Sequence, residues 1–501
     1  MNSARRRWRL PRRLNKCFFG HGSDDRAAAS QSSVLDQKQL FEGHFWLPGG
    51  EPCRQAGVLR VGPGLAPEIA TTEPLLSPWR EAGRAELPDG RTRVAGHGAE
   101  EELTAPVTIH GVDDHGRRLA LISATTVYWG PPDDAGYTHR FRGIQAVVGG
   151  HVRDRGHQFT GFRVRLRNIE AWRQPLQQAQ WTGEVPLANG GSIAVEDLPV
   201  SGHNGRSDLW LTGRTLPPAT LRGIEAHFVR PLVSLFTLAT DRLCSPVAMQ
   251  VQEESPDGPW WDVYSAALQA DDDNDDLRWD LPRWLLQPPD IGLRQVGLWL
   301  DKASLLGPLP AVVTDLAQAP AISLDTQALL LATVAEGLHR RLYPGDLRFH
   351  ENRELNAEVA DRVQAAGAEA AGLVRPDAKA AVNGLLSHVG DPGYAGRLKR
   401  LAGVAEVAAP GVTGRTSRWK TLVSDIRNEY AHRIGDGFLD DRDIDNRMTV
   451  VFSLRWLLTV VLLLQSDVDA SVLRTRLTSH ENYQRFLADA QVWCPKIYPP
   501  T

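Results

Sequence analysis

Apolar positions along the chain follow two different patterns, and the change falls near residues 310–320. From about Phe41 to Pro310, short apolar runs are separated by Gly, Pro and Trp. Val107 to Ile122 reads as a hairpin, with two apolar runs flanking an Asp/Gly turn. Phe159 to Ile169 alternates apolar and basic residues, which puts one strand face on a core and the other in solvent. Glu225-Ala-His-Phe-Val229 reads as a similar run. Strands at irregular spacing predict a β-rich region of sandwich- or barrel-like sheets. A sub-boundary is expected near 173–195, where Gln and Gly accumulate.

After Pro320 the apolar period becomes helical, beginning with Leu330, Val334 and Leu338 and pausing near Tyr343-Pro344-Gly345. Further helices are expected near 354–374, 376–388, 395–408, 416–434, 442–466 and 470–490, punctuated by Pro392-Gly393 and Pro410-Gly411. The fold class is therefore multidomain α+β. Residues 1–40 are expected to be a disordered basic leader, 41–310 a β-rich recognition region, and 311–501 an all-α bundle.

Composition narrows the function. The chain has 501 residues and a formal charge of −4, which excludes a chain-wide polybasic nucleic-acid binder but leaves room for a local basic site. Cys17, Cys53, Cys244 and Cys494 are widely spaced, which argues against a zinc ribbon or a disulfide framework and suits a reducing compartment. The apolar run Trp456 to Leu464 is too short to span a bilayer and reads as a buried helix, so no membrane partner is expected. The basic leader lacks the apolar segment of a secretory signal. Asp271 to Asp276 resembles a calcium loop only superficially, because Asp276 stands where the EF-hand needs Gly and Pro282 where it needs Glu. Phosphate-loop, zinc-protease and α/β-hydrolase signatures are absent.

The helix from Thr416 to Ile434 carries the most informative chemistry. Val423, Ile426, Tyr430 and Ile434 fall in one core-facing stripe, and Gly435 stops the helix. Asn428 and His432, spaced i, i+4, share the opposite face, with Arg427 at the edge of the stripe. These residue types suit attack on an RNA phosphodiester. Imidazole can move a proton near neutral pH, a guanidinium can stabilise the crowded phosphorane, and an amide can orient either. No metal or cofactor is required by that chemistry.

Arg427-Asn-Glu-Tyr-Ala-His432, late in a helix of a C-terminal α-domain, resembles the signature of HEPN ribonucleases. Upstream, Gly43-His-Phe-Trp-Leu-Pro48, the Ile109-His-Gly111 hairpin and the Phe162 to Trp172 segment resemble the N-terminal domain of ApeA-type anti-phage HEPN proteins. Together the resemblance spans about 41–490. It implies a metal-independent, cytoplasmic endoribonuclease that acts in abortive infection. Its HEPN domains would pair as a homodimer, bringing two Arg/His motifs into one cleft. Its substrate would be RNA, tRNA or mRNA, and its trigger phage-derived. Arg427 and His432 carry over as the catalytic pair, with Asn428 beside them.

Weaker candidates surround this site. Glu336 and His339, followed by Arg340 and Arg341, can supply an auxiliary carboxylate and a basic RNA-binding rim, or simply a solvated helix face. Arg163, Arg165 and Arg167 form one basic strand face, suited to a nucleic-acid backbone or to plain solvent. His110 and His115 read as turn residues rather than metal ligands, and Trp260, Trp261 and Tyr264 as packing rather than base-stacking groups. The rival reading is a non-catalytic dimeric sensor that recognises a phage component. Nucleotidyl transfer would need a nucleotide site that the sequence does not show.

Overall fold

In a computed structural model, the described residues are 38–75, 85–86, 92–93, 105–169, 181–199, 207–253, 258–269, 284–318, 322–372, 380, 384, 386, 389–432 and 440–500. Most of the basic leader, the acidic run 271–276 and nearly all of the expected 376–388 helix lie outside them.

The β-rich region is one curved sheet whose far end closes on itself. Strands β1 (Gln39–Trp46), β2 (Gln55–Val61), β3 (Glu68–Thr71), β6 (Val107–Asp113), β7 (Arg118–Trp129) and β8 (His139–Arg142) form a closed barrel, because β8 pairs with both β3 and β7. Closure removes free edges from these six strands. β4 (Ala85–Glu86) and β5 (Thr92–Arg93) pair only with each other. From β7 the sheet continues through β9 (Gln145–Val148), β15 (Trp260–Ser265), β14 (Pro246–Gln252), β10 (Gln158–Leu166), β13 (Ser207–Thr220), β12 (Ser192–Pro199) and β11 (Glu184–Pro186). The barrel interior holds Phe41, Phe45, Leu59, Ile69, Ile109 and Phe141. Two motifs far apart in sequence meet here: Phe45 pairs with Gly111 and Trp46 with His110 across β1 and β6. Gly111 is needed at this position, since a Cβ there would lie 2.5 Å from the Phe45 ring.

Residues 221–240 form helix α1, so the strand expected at Glu225–Val229 is corrected to a helical segment. The Thr220 hydroxyl caps its start by accepting from Gly223 N. Downstream, Leu232, Leu235, Phe236 and Ala239 are buried at helical spacing, which outweighs a five-residue alternation. Glu225–Val229 itself is a π-turn, an extra-residue bulge in the helix.

Among the described residues, the longer helices that follow are α2 (Leu293–Leu306), α3 (Leu309–Gln318), α4 (Leu324–Leu342), α5 (Arg353–Ala371), α6 (Tyr394–Glu406), α7 (Thr416–His432), α8 (Asp441–Gln465), α9 (Ala470–Ser479) and α10 (Glu481–Trp493). The helical run thus begins at Leu293, and the single helix expected over 470–490 is broken by extended backbone at His480. In α4, Leu330 lies at the surface while Ala328, Leu331, Val334, Ala335 and Leu338 are buried. The buried face is wider than one residue per turn because α8 packs against it.

Helix α8 is the centre of the bundle. Its residues from Trp456 to Leu463 are all buried, as expected for the apolar run in that segment. It has the length and composition to cross a bilayer, but most of its surface is covered by the rest of the fold.

One apolar core runs from the inner face of the open sheet, through α1 and α2, into the bundle. It joins Phe162, Phe228, Phe236, Trp299, Leu338, Trp419 and Leu457. Polar ties reinforce this junction. Asp241, partly covered at the left-handed end of α1, accepts from Arg455 Nη2 at 2.6 Å and Asn482 Nδ2 at 2.8 Å. Asp290 receives two hydrogen bonds from Arg476, at 2.7 and 3.0 Å. Asp241→Ala leaves Arg455 without its carboxylate and is expected to destabilise the chain by about 1–3 kcal/mol, the cost of leaving a partly covered donor without its partner. Chemical denaturation would detect it as a lower midpoint with an unchanged slope.

Candidate active site

Helix α7 is fixed to α8 by a stripe that begins earlier than the motif. Trp419 is fully buried, with its indole N–H donating to Ser453 Oγ at 2.8 Å, and Val423 and Ile426 follow at helical spacing. A second anchor is Arg447 of α8, whose buried guanidinium pairs with Asp325 of α4 and reaches Glu429 of α7 at 3.5 Å. The three helices are thereby tied together, and rotating α7 would pull Trp419 out of the core and break its hydrogen bond to Ser453.

Anchored this way, α7 sets Arg427 at the border between core and surface, with its side chain 34% exposed. The guanidinium carbon lies 4.6 Å from the centre of the Tyr394 ring, and Nη2 donates to Glu336 Oε2 at 2.9 Å. Tyr394, the first residue of α6, is itself held by a 3.2 Å hydrogen bond from its hydroxyl to the Ala332 carbonyl of α4. Burial, opposed by the Arg427 charge, raises its phenol pKa, so it stays protonated at neutral pH. Arg427 therefore rests on an aromatic platform, with one edge of its fork paired to a carboxylate and 2.9 Å from it. Asn428 is exposed on α7, and His432 closes the helix one turn later, in register with it. The side chains of Tyr430 and His432, and residues Ile434 and Gly435, lie outside the described set.

The four rim candidates separate. Glu336 and Arg340 join Arg427, since Arg340 Nη2 donates to Glu336 Oε1 at 3.0 Å while its own side chain is 56% exposed. His339 instead points inward. It is 2% exposed, with Nε2 3.1 Å from Asp346 Oδ2, and burial lowers its pKa against the pull of that carboxylate. Arg341 turns the other way and donates to the Leu305 carbonyl at 3.1 Å, at the end of α2. Neither joins the ion pairs around Arg427. Sequence spacing cannot separate neighbours on one helix when a second helix covers only part of its circumference.

Elsewhere, the basic strand face is not plain solvent surface. Arg165 is buried and paired with Asp208 at 2.9 Å. Arg163 lies between Trp260 and Trp210, 4.4 and 5.2 Å from the ring centres, and bonds to Gln250. Trp261 and Tyr264 are packing groups as expected, and Trp260 faces Arg163. His110 lies in β6 rather than in the turn. It stacks on His151 at 4.7 Å. Among the described residues, no group of three or more His, Cys, Asp or Glu side chains is placed to hold a metal ion.

Tyr394 and Arg397 were not singled out from sequence. They sit some thirty residues before the motif, and only the packing of α6 against α4 and α7 brings them to it. Comparisons with protein-family models, with curated proteins and with solved structures find no match to this chain.

Proposed function

We propose that the chain is a metal-independent endoribonuclease of the ApeA-type HEPN kind, acting in the cytoplasm in anti-phage defence as a homodimer. The observation that carries this reading is the setting of Arg427. It is held by Glu336 and Tyr394 at the surface of a rigidly anchored helix that also bears Asn428 and His432. A fixed, partly exposed guanidinium is suited to a phosphodiester, because the cost of orienting it is met by folding rather than by substrate.

In the reaction, the RNA 2′-oxygen loses its proton and forms a bond to phosphorus. The bond from phosphorus to the 5′-oxygen breaks, and the leaving oxygen takes up a proton. The products carry a 2′,3′-cyclic phosphate and a 5′-hydroxyl. His432 serves as proton acceptor or donor, Arg427 stabilises the charge that builds on the phosphorane oxygens, and Asn428 orients the phosphate or the imidazole. RNA would lie across a cleft to which a second copy contributes the same three residues.

Total tRNA incubated with the full chain in EDTA, beside the Arg427→Ala/His432→Ala double variant, tests the reading. Cleavage by the wild type alone, with 2′,3′-cyclic phosphate ends, is the expected result. If neither protein cleaves even after addition of phage lysate, the sensor reading takes its place.

A further inference from the structure

Beside Arg427 lies a concentration of positive charge that the neighbouring carboxylates only partly offset. Arg397, on the first turns of α6, is only 5% exposed. Its Nε donates to the Pro392 carbonyl at 2.8 Å, which turns the guanidinium back toward the start of its own helix. Glu336 and Asp391 are close enough to be felt electrostatically, but among the described residues no carboxylate forms an ion pair with Arg397. Buried arginines normally have such a partner, because an uncompensated buried charge is costly.

Arg340 lies near enough to Arg397 for their mutual repulsion, together with the larger effect of burial, to lower the Arg397 pKa. Three guanidiniums, those of Arg340, Arg397 and Arg427, therefore share the field of two carboxylates, Glu336 and Asp391, and among the described residues only Glu336 forms ion pairs with any of the three. The same place receives the N-terminus of α6, which begins at Gly393 without a side-chain cap. Its free N–H groups and helix dipole add further positive potential. This excess lies against the catalytic helix, where a second anion would be carried by the same substrate.

We propose that Arg397, Arg340 and the open start of α6 form a second phosphate subsite, which holds the RNA phosphate next to the scissile one. This rests on the ribonuclease reading for its ligand, but it can be tested without cleavage. Engaging two consecutive phosphates would set the direction of the strand across Arg427, so that the bond presented for attack is fixed by the backbone and not by base identity. It predicts a protein indifferent to sequence at the flanking base but sensitive to whether a flanking phosphate is present.

Binding of a labelled single-stranded RNA to the full-length His432→Ala protein, measured across a salt series, is the test. Arg340→Ala, at a largely exposed position, is expected to weaken binding about tenfold, the size of one charge-assisted contact. It should also reduce the slope of log K against log salt by about 0.7, the value for one lost contact to a single strand. Arg397→Lys, which keeps the charge but loses the planar fork, serves as the second variant, with its thermal midpoint recorded to confirm folding. Glu336→Gln, which removes the opposing carboxylate, should tighten binding.

Unchanged affinity and slope in both arginine variants would overturn the subsite. So would saturation of the site by inorganic pyrophosphate or a free nucleotide in preference to RNA, since that would assign the charge to a small-molecule ligand. A wild type that binds RNA through these arginines without ever cutting it would leave the subsite standing and remove the nuclease.

Discussion

His432→Ala in the full chain is expected to slow single-turnover RNA cleavage by about 10²- to 10⁴-fold, the usual contribution of one positioned proton-transfer group. Arg427→Ala should cost about 10²- to 10³-fold through loss of the charge that meets the phosphorane. Arg427→Lys should recover little, because an ammonium cannot both stay paired with Glu336 and present two parallel donors to a phosphate. Arg427 is partly exposed and makes one ion pair, so its replacement should shift the thermal midpoint by only a few degrees. Full cleavage by His432→Ala would sink the catalytic assignment. Loss of cleavage with a large drop in midpoint would show a folding defect instead.

The second large effect concerns the two halves of the chain. If the β-rich region were an independent regulator, deleting 1–310 would release an active nuclease. The continuous core predicts another outcome. The deletion removes α1, α2 and the sheet face behind them, and with them Phe236, Trp299 and the Asp241 and Asp290 carboxylates. Leu457, Val460 and their neighbours on α8 would lose part of their cover, and each such residue is worth about 1.5–3 kcal/mol when buried. Several losses of that size exceed the whole stability of a typical domain. The 311–501 fragment is therefore expected to be insoluble, or to unfold without a cooperative transition by circular dichroism. A soluble fragment with a sharp transition would show that the bundle stands alone.

Much of the fold is legible in the sequence because the relevant forces are local. The hairpin over 107–122, the alternating strand at Phe159–Leu166 and the buried run Trp456–Leu463 all appear where the apolar period places them. What escapes is set by neighbours distant in sequence. Glu225–Val229 has the alternation of a strand, yet the turns after it commit the segment to a helix. The candidate site divides in the same way. Val423 and Ile426 fall on the core side by arithmetic alone, and Arg427 at the edge of that stripe is half-buried. Its partners could not be read from the motif, because Glu336 lies 91 residues upstream and Tyr394 on a third helix. Arg397 was equally hidden. An arginine in a helix reads as surface until a neighbouring helix is known to cover it.

The central, enclosed position of α8 also fixes the order of events on the ribosome. Helices α2 and α3 cover α1 soon after it is made, but the faces of α3 and α4 that receive α8 stay uncovered until residues 441–465 have been made. At about 5–20 residues per second, the chain between the end of α4 and the end of α8 takes roughly 6–25 s to synthesise. Through that interval the unfinished bundle carries an exposed apolar surface, and its protection from aggregation falls to chaperones. The Arg427 setting needs α4, α6 and α8 around it, so an unfinished chain, or one released early by a truncated message, has no assembled candidate site.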